Sequence, residues 1–324
     1  MTHAIRIHST GGPEVLKWEE VTVGTPAPNE VRLKATAIGL NYIDTYHRSG
    51  LYKIPLPSVL GREAAAVVEE IGSAVTDLKV GDRVAYAASP IGAYAEARLM
   101  LADKLVKIPA GISDNQAASM MLKGMTAQYL LRRIHPVKPG DTILMHAAAG
   151  GVGLILCQWA RHLGATVIGT VGSDEKIALA KSNGCDHVIN YAKEDFVARV
   201  AEITDGKKCN VVYDGVGKDT FLKSLDCVRP LGLVAVFGNA SGAVPPFDIG
   251  LLGAKGSLFV TRPTVDTFIA TRADLLAVAK ELFEVVAGGI VKIEINQTYA
   301  LKDAVTAHQD LEARKTTGST VLIP

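Results

Sequence analysis

Cysteine is scarce in this chain. There are four among 324 residues, the first at Cys157, and Cys157, Cys185, Cys209 and Cys227 never approach a Cys-x-x-Cys spacing. That excludes a zinc ribbon and a redox dithiol, and it fits isolated thiols in a reducing compartment. Neither sign of charge dominates: 34 basic residues face 33 acidic ones, for a net charge of +1. A nucleic-acid partner, which usually needs a basic stripe, is therefore not expected. No apolar run approaches the roughly 20 residues that span a bilayer. The opening Met1–Arg6 lacks the apolar core of a secretion signal. The expectation is a cytoplasmic protein without a membrane partner.

What is present is the material of a packed core. Hydrophobic residues make up 48% of the chain and charged residues 21%, and the length suits about two domains. As far as Pro109 the pattern is short alternating runs, such as Glu30–Ile38, Glu63–Ile71 and Arg83–Ala87, broken by Gly and Pro. Such spacing predicts a partly open β-barrel or a sandwich. A Gly- and Pro-poor helical run follows the N-cap signal Ser113-Asp114.

From Asp141 the rhythm becomes strand, helix, strand. Strands are predicted at Thr142–His146, Thr166–Val171, His187–Tyr191, Asn210–Asp214, Leu233–Gly238 and Ser257–Thr261. Helices are predicted at Gly151–Leu163, Asp174–Ser182, Glu194–Ile203 and Asp219–Val228. Buried strands alternating with amphipathic helices imply a parallel, doubly wound sheet, an α/β fold. The tail predicts helix Arg272–Ala287, strand Val291–Gln297, helix Leu301–Glu312 and strand Thr320–Ile323, and its strands suit the first domain better than the parallel sheet.

The strongest chemical signal is His146-Ala147-Ala148-Ala149-Gly150-Gly151-Val152-Gly153. Aligned to G-x-G-x-x-G it supplies Ala148, Gly150 and Gly153, with alanine in the first slot. A glycine-rich turn alone can be a mere tight connection. Here it closes an apolar strand, opens a long helix and precedes further β/α units, the context of dinucleotide binding. NAD sites carry an acid at the end of the second strand for the ribose 2′-OH. In this chain that position is Val171, followed by Gly172, Ser173 and Lys176, which suit a 2′-phosphate. Asp174 and Glu175 argue the other way, but both fit a first helical turn. NADPH is the expected cofactor.

At this point the chain resembles the zeta-crystallin-like quinone oxidoreductases of the medium-chain dehydrogenase/reductase superfamily. The resemblance rests on Gly11–Leu16, Gly39–Asp44, Arg48–Tyr52, Gly61–Ala65, Gly81–Val84, Ala147–Gly153, Val212–Gly217 and Phe237–Asn239, and it runs from end to end. It implies a GroES-like β-barrel catalytic domain plus a Rossmann doubly wound sheet. The boundaries expected are 1–124 catalytic, 125–262 cofactor-binding and 263–324 returning to the catalytic domain. It also implies an active site in the cleft between the two, and a homodimer formed through the sheet edge. Zinc alcohol dehydrogenases of the superfamily place a Cys near position 41 and a His near position 62. Asn41 and Arg62 stand there instead, and an arginine never deprotonates to bind metal, so no zinc is expected.

Carried over residue by residue, the resemblance places Asn41, Asp44, Tyr46 and Tyr52 on the nicotinamide side of the cleft, with Arg262 facing substrate. Asn41 would contact carboxamide or ribose, and Tyr46 or Tyr52 would donate to a developing oxyanion. Thr126, Gly150, Gly151, Val152, Gly153, Gly172, Ser173, Lys176, Tyr191, Val216, Phe237, Gly238, Asn239 and Pro263 complete the expected cofactor contacts. The implied activity is NADPH-dependent reduction of a quinone. Reduction of a conjugated enone, or a low-turnover NADPH-liganded binding protein, are the alternatives. His47 and His146 lie near motifs and are expected to be structural.

Overall fold

The computed structural model describes residues 2–324. It divides into two compact units. The first joins the chain up to Met125 with Phe268–Ala287 and Ile293–Pro324, and the second holds Thr126–Thr267 and Gly288–Lys292.

In chain order the first stretch contains β1 (Thr2–Ile7), β2 (Lys17–Val21), β3 (Glu30–Leu40), α1 (Tyr42–Ser49), β4 (Ser58–Val59), β5 (Glu63–Ile71), β6 (Arg83–Tyr86), β7 (Ala97–Leu101), β8 (Val106–Lys107) and α2 (Asp114–Tyr129). The parallel region follows with β9 (Thr142–Met145), α3 (Gly151–His162), β10 (Thr166–Val171), α4 (Ile177–Ser182), β11 (His187–Asn190), α5 (Phe196–Ile203), β12 (Cys209–Asp214), α6 (Phe221–Ser224), β13 (Val228–Val236), α7 (Gly250–Ala254) and β14 (Phe259–Thr261). The tail adds α8 (Val265–Phe268), α9 (Arg272–Ala287), β15 (Ile295–Ala300), α10 (Ala304–Glu312) and β16 (Ser319–Ile323).

The first unit is built on a seven-stranded sheet of order β15-β16-β3-β5-β6-β8, with β7 also paired to β3. A separate three-stranded sheet has the order β2-β1-β4, and its Ala4 also bridges to Ala95, just before β7. The long strand β3 is the spine of this arrangement. It pairs antiparallel with β5, β7 and β16, and its inner residues Val31, Leu33, Ala37 and Ile38 are buried. The glutamate that opens β5, Glu63, lies opposite Gly39 of β3.

The second unit is a six-stranded sheet of order β11-β10-β9-β12-β13-β14, every neighbouring pair parallel. Numbered from its own first strand this is 3-2-1-4-5-6, the Rossmann order, whose direction reverses between β9 and β12. Its strands read as continuous apolar runs because helices cover both faces. In β10, Val167 through Val171 are all buried. One core cluster runs from Leu144 and Ile168 through Phe196 and Val212 to Phe221 and Val234.

The strand expected at Leu233–Gly238 begins earlier, at Val228, and two other elements differ for a visible reason. The helix expected over Asp219–Val228 shrinks to α6 because the Asp214 carboxylate captures the Val216 and Gly217 N–H groups and the Thr220 hydroxyl. Asp226 and Cys227 then close with short turns back to Lys223 and Ser224. The strand expected at Val291–Gln297 instead begins at Ile295. Both backbone groups of Lys292 are taken by the Gln158 carboxamide, at 2.9 and 3.0 Å, so they cannot join a ladder.

Candidate active site

The residues of the second unit expected to meet the cofactor stand at or just beyond the carboxyl ends of its strands. After β9 the chain turns through Ala147, whose φ of 57° is left-handed, into Gly150, the N-cap of α3. A Cβ on Gly153 would lie 2.4 Å from the Ala147 carbonyl oxygen. Only glycine therefore lets the helix start this close to the turn. The first N–H groups of α3, at Gly151, Val152 and Gly153, have no acceptors within the helix. With the positive end of the helix dipole they suit a pyrophosphate.

The next strand end is equally specific. Val171 is buried at the end of β10 and offers no acceptor for a ribose hydroxyl. Gly172 follows beneath the Tyr191 hydroxyl, where an added Cβ would come to 3.1 Å. Tyr191 is fixed by its own N–H, which donates to the Val171 carbonyl. The Asp174 carboxylate accepts from Asn190 Nδ2 at 2.6 Å and forms an ion pair with Lys193. Its charge is committed there, so it does not oppose an anion at Ser173 and Lys176. The structure thus gathers Gly172, Ser173, Lys176 and Tyr191 at one strand end.

The remaining expected residues of this unit lie at neighbouring places. Val216 sits in the turn shaped by Asp214, and Phe237 N–H donates to the Asp214 carbonyl. Gly238 packs on Gly215, while Asn239 closes the turn to Gly242. Arg262, followed by Pro263, donates to the carbonyl of Val236 at 3.0 Å. Thr126 is buried and bonds the Tyr129 phenol. His146 is a satisfied core residue. Its ring nitrogens meet Thr170 and Ser224 at 2.9 Å each, and burial lowers its pKa.

In the first unit Asn41 is the N-cap of α1. Its amide nitrogen donates to Glu63 Oε2 at 2.8 Å and to the Gly39 carbonyl at 3.3 Å. Its backbone N–H donates to Asp44 Oδ2 at 2.9 Å. Glu63 is fully buried and also accepts from the Leu122 N–H at 2.8 Å and from Lys123 Nζ at 3.2 Å. Tyr46 and Tyr52 meet edge to face with centroids 5.3 Å apart, and the Tyr52 N–H donates to the Tyr46 carbonyl. Asn41, Asp44, Tyr46 and Tyr52 are therefore neighbours in the fold.

The donor set here does not fit zinc. The Asn41 amide nitrogen is a donor committed to a carboxylate, and Arg62 is a buried guanidinium. Among the described residues no cluster of three His, Cys, Asp or Glu side chains is arranged to hold a metal ion.

Sequence reading missed a second layer. Tyr94 donates to Asp44 Oδ2 at 2.9 Å and lies 3.1 Å from His308 Nε2, while His308 Nδ1 lies 3.0 Å from Arg48. Burial and the neighbouring Arg48 push the His308 imidazole down to about 3. A histidine kept neutral in the fold but free to charge when unfolded contributes stability that is present above about pH 6.5 and lost as pH falls towards 3. Between pH 7 and pH 5 the loss should be about 2 kcal/mol. Replacing His308 by Gln should remove that part of the acid sensitivity, as read by urea unfolding at the two pH values. An unchanged pH 7 to pH 5 difference would show that His308 does not titrate this way.

Comparison with known proteins follows this geometry. The family described as alcohol dehydrogenase GroES-like domain matches residues 27–110, and the zinc-binding dehydrogenase family matches residues 151–282. A quinone oxidoreductase of Pseudomonas aeruginosa is 55% identical, with all of both chains covered. A crystal structure of Escherichia coli quinone oxidoreductase complexed with NADPH superposes with a TM-score of 0.98 at 52% identity, again covering both chains fully. A 2-haloacrylate reductase of a Burkholderia species is 51% identical, over 100% of this chain and 99% of its own.

Proposed function

The chain belongs to the zinc-free quinone oxidoreductases of the medium-chain dehydrogenase/reductase superfamily, and from that premise we propose that it reduces quinones with NADPH. The observation that carries this reading is the pairing of the Gly150–Gly153 turn with a strand end that holds Val171, Ser173, Lys176 and Tyr191 instead of an acid. The α3 N-terminus would hold the pyrophosphate, and Ser173, Lys176 and Tyr191 the 2′-phosphate. The bound cofactor supplies the hydride. The protein's own part is orientation and electrostatics. Asn41, with both its amide N–H groups committed, would contact the nicotinamide end, and Val216, Phe237 to Asn239 and Pro263 would line its approach. Tyr52, or Tyr46 beside it, would donate to the oxygen that becomes an oxyanion, with Arg262 adding positive charge. An easily reduced conjugated acceptor needs no Lewis acid for this.

The test is loss of NADPH absorbance with a panel of benzoquinones, naphthoquinones and enones. Quinones should be reduced fastest. The 2-haloacrylate reductase relative makes 2-haloacrylate the appropriate alternative acceptor, and turnover of that alone would assign the chain to carbon–carbon double-bond reduction. Tyr52→Phe should lower kcat by up to about a hundredfold while leaving the KM for NADPH nearly unchanged. Unchanged kcat across the quinones would return Tyr52 to a packing role.

A cytoplasmic homodimer completes the reading. All four cysteines are free and buried, as suits a reducing compartment, and no helix among the described residues is long and apolar enough to cross a membrane. The edge strand β14 carries Phe259 at 59% exposure. An open, apolar sheet edge asks for a partner strand, and a second copy of β14 would supply it.

A further inference from the structure

Arg48, His308 and Tyr94 form a continuous hydrogen-bonded line in the first unit that ends on Asp44. Arg48 Nη1 lies 3.0 Å from His308 Nδ1, His308 Nε2 lies 3.1 Å from the Tyr94 hydroxyl, and Tyr94 donates to Asp44 Oδ2 at 2.9 Å. All four side chains are buried. At the outer end Arg48 also donates to the partly exposed Glu312 at 2.7 Å.

The direction of this line is fixed by chemistry. A guanidinium only donates, so His308 Nδ1 accepts. A neutral imidazole then carries its hydrogen on Nε2 and donates to Tyr94. The phenol has a single hydrogen, and it goes to Asp44. Oδ2 therefore receives two donors, Tyr94 and the Asn41 N–H. Asp44 Oδ1 is buried without a hydrogen-bond partner among the described residues. A proton taken up by this carboxyl must sit there.

We propose that Arg48, His308 and Tyr94 are positioning residues for the reduction, acting through Asp44 on Asn41. The line holds the Asp44 carboxyl as the acceptor that pins the start of α1, and gain or loss of a proton at Oδ1 sets how firmly it pins. This rests on the reductase reading, which brings Asn41 to the nicotinamide. Burial raises the Asp44 carboxyl to about 7, against the opposing effects of the Asn41 and Tyr94 hydrogen bonds and of Lys123, while Glu63 adds to the rise. Those groups, with His308 and Arg48 behind Tyr94, are the titratable and charged groups that bear on it. Above neutrality the carboxylate makes charge-assisted bonds and Asn41 is held hard. Below it the grip weakens.

The experiment follows the protonated-carboxyl band of Asp44 by infrared difference spectroscopy against pH, with Asp44→Asn identifying the band. It is set beside the pH profile of kcat/KM for NADPH and a benzoquinone. Tyr94→Phe removes a bond to the charged form, so the midpoint of the band and of the profile should rise together by about one pH unit. His308→Gln keeps an acceptor for Arg48 and a donor for Tyr94, and its midpoint should stay close to that of the unmodified protein. His308→Leu keeps neither and should shift it upward. A midpoint that does not move in Tyr94→Phe, or a kcat/KM profile that ignores a moving band, would overturn the proposal. The band is read without turnover. Failure of the reductase reading would appear separately, as no NADPH oxidation with any quinone, and the affinity for NADPH would then replace kcat/KM as the second readout.

Discussion

Glu63→Gln should destabilise the protein by about 3–5 kcal/mol, the cost of leaving a buried ion without its counter-charge. Glu63 has no exposed surface, and its two oxygens serve three donors: the Asn41 amide, the Leu122 N–H and the Lys123 ammonium. A carboxamide has one accepting oxygen. Whichever way it turns, an N–H faces a donor, and Lys123, itself 7% exposed, loses the one carboxylate it is bonded to. Urea unfolding at neutral pH measures the loss. Adding Lys123→Met should recover much of it, because no buried charge is then left without its partner. A loss below about 1 kcal/mol for the single variant would show that the pair is not the buried support of Asn41.

Cofactor selectivity is the second large effect. One charge-assisted hydrogen bond to a 2′-phosphate is worth roughly 1.5–3 kcal/mol, and each 1.4 kcal/mol is about tenfold. NADPH should therefore exceed NADH by at least about tenfold in kcat/KM. Lys176→Ala should erode that ratio by raising the KM for NADPH while leaving NADH nearly untouched. Placing the acid at Val171 would bury a carboxylate, since that side chain is 1% exposed. Ser173, partly exposed beside it, is the better place, and Ser173→Asp should turn preference toward NADH by repulsion. Steady-state kinetics with both cofactors decides the matter. Equal use of NADH and NADPH by the unmodified protein would refute the pocket.

The parallel sheet was legible in the sequence because its signals are local. Each strand is a short apolar run such as Val167–Val171, each is followed by a helix, and the turn residues Ala147–Gly153 are contiguous. Predictions failed where a side chain overrode a local pattern. Asp214 held the following segment as a turn where a helix was expected, and Gln158 held Lys292 out of the strand. The Asp44 line was invisible for a different reason. Tyr94 is 50 residues from Asp44 and 214 from His308, and no spacing rule links such positions. A histidine in a short C-terminal helix gives no sign of what it will meet. Glu63 lay inside a quoted motif, but only the fold shows that it accepts from Asn41, Leu122 and Lys123 at once.

The place of β16 bears on how the molecule is made. Thr320, Val321 and Leu322 pair with Leu40, Gly39 and Ile38, the residues of β3 that lead into Asn41. A ribosome delivers the chain from the amino end, so that side of β3 waits until residues 319–323 are made before its neighbour arrives. All of the second unit's chain, to Lys292, precedes it. A nascent chain halted before residue 319 would have every residue of the cofactor sheet yet an open strand edge beside Asn41. Contacts this distant in sequence slow folding, and an unpaired edge invites other strands in the meantime. Loss of residues 319–323 should therefore damage the first unit's sheet at the strand end that carries Asn41, in a chain that still has everything its cofactor sheet requires.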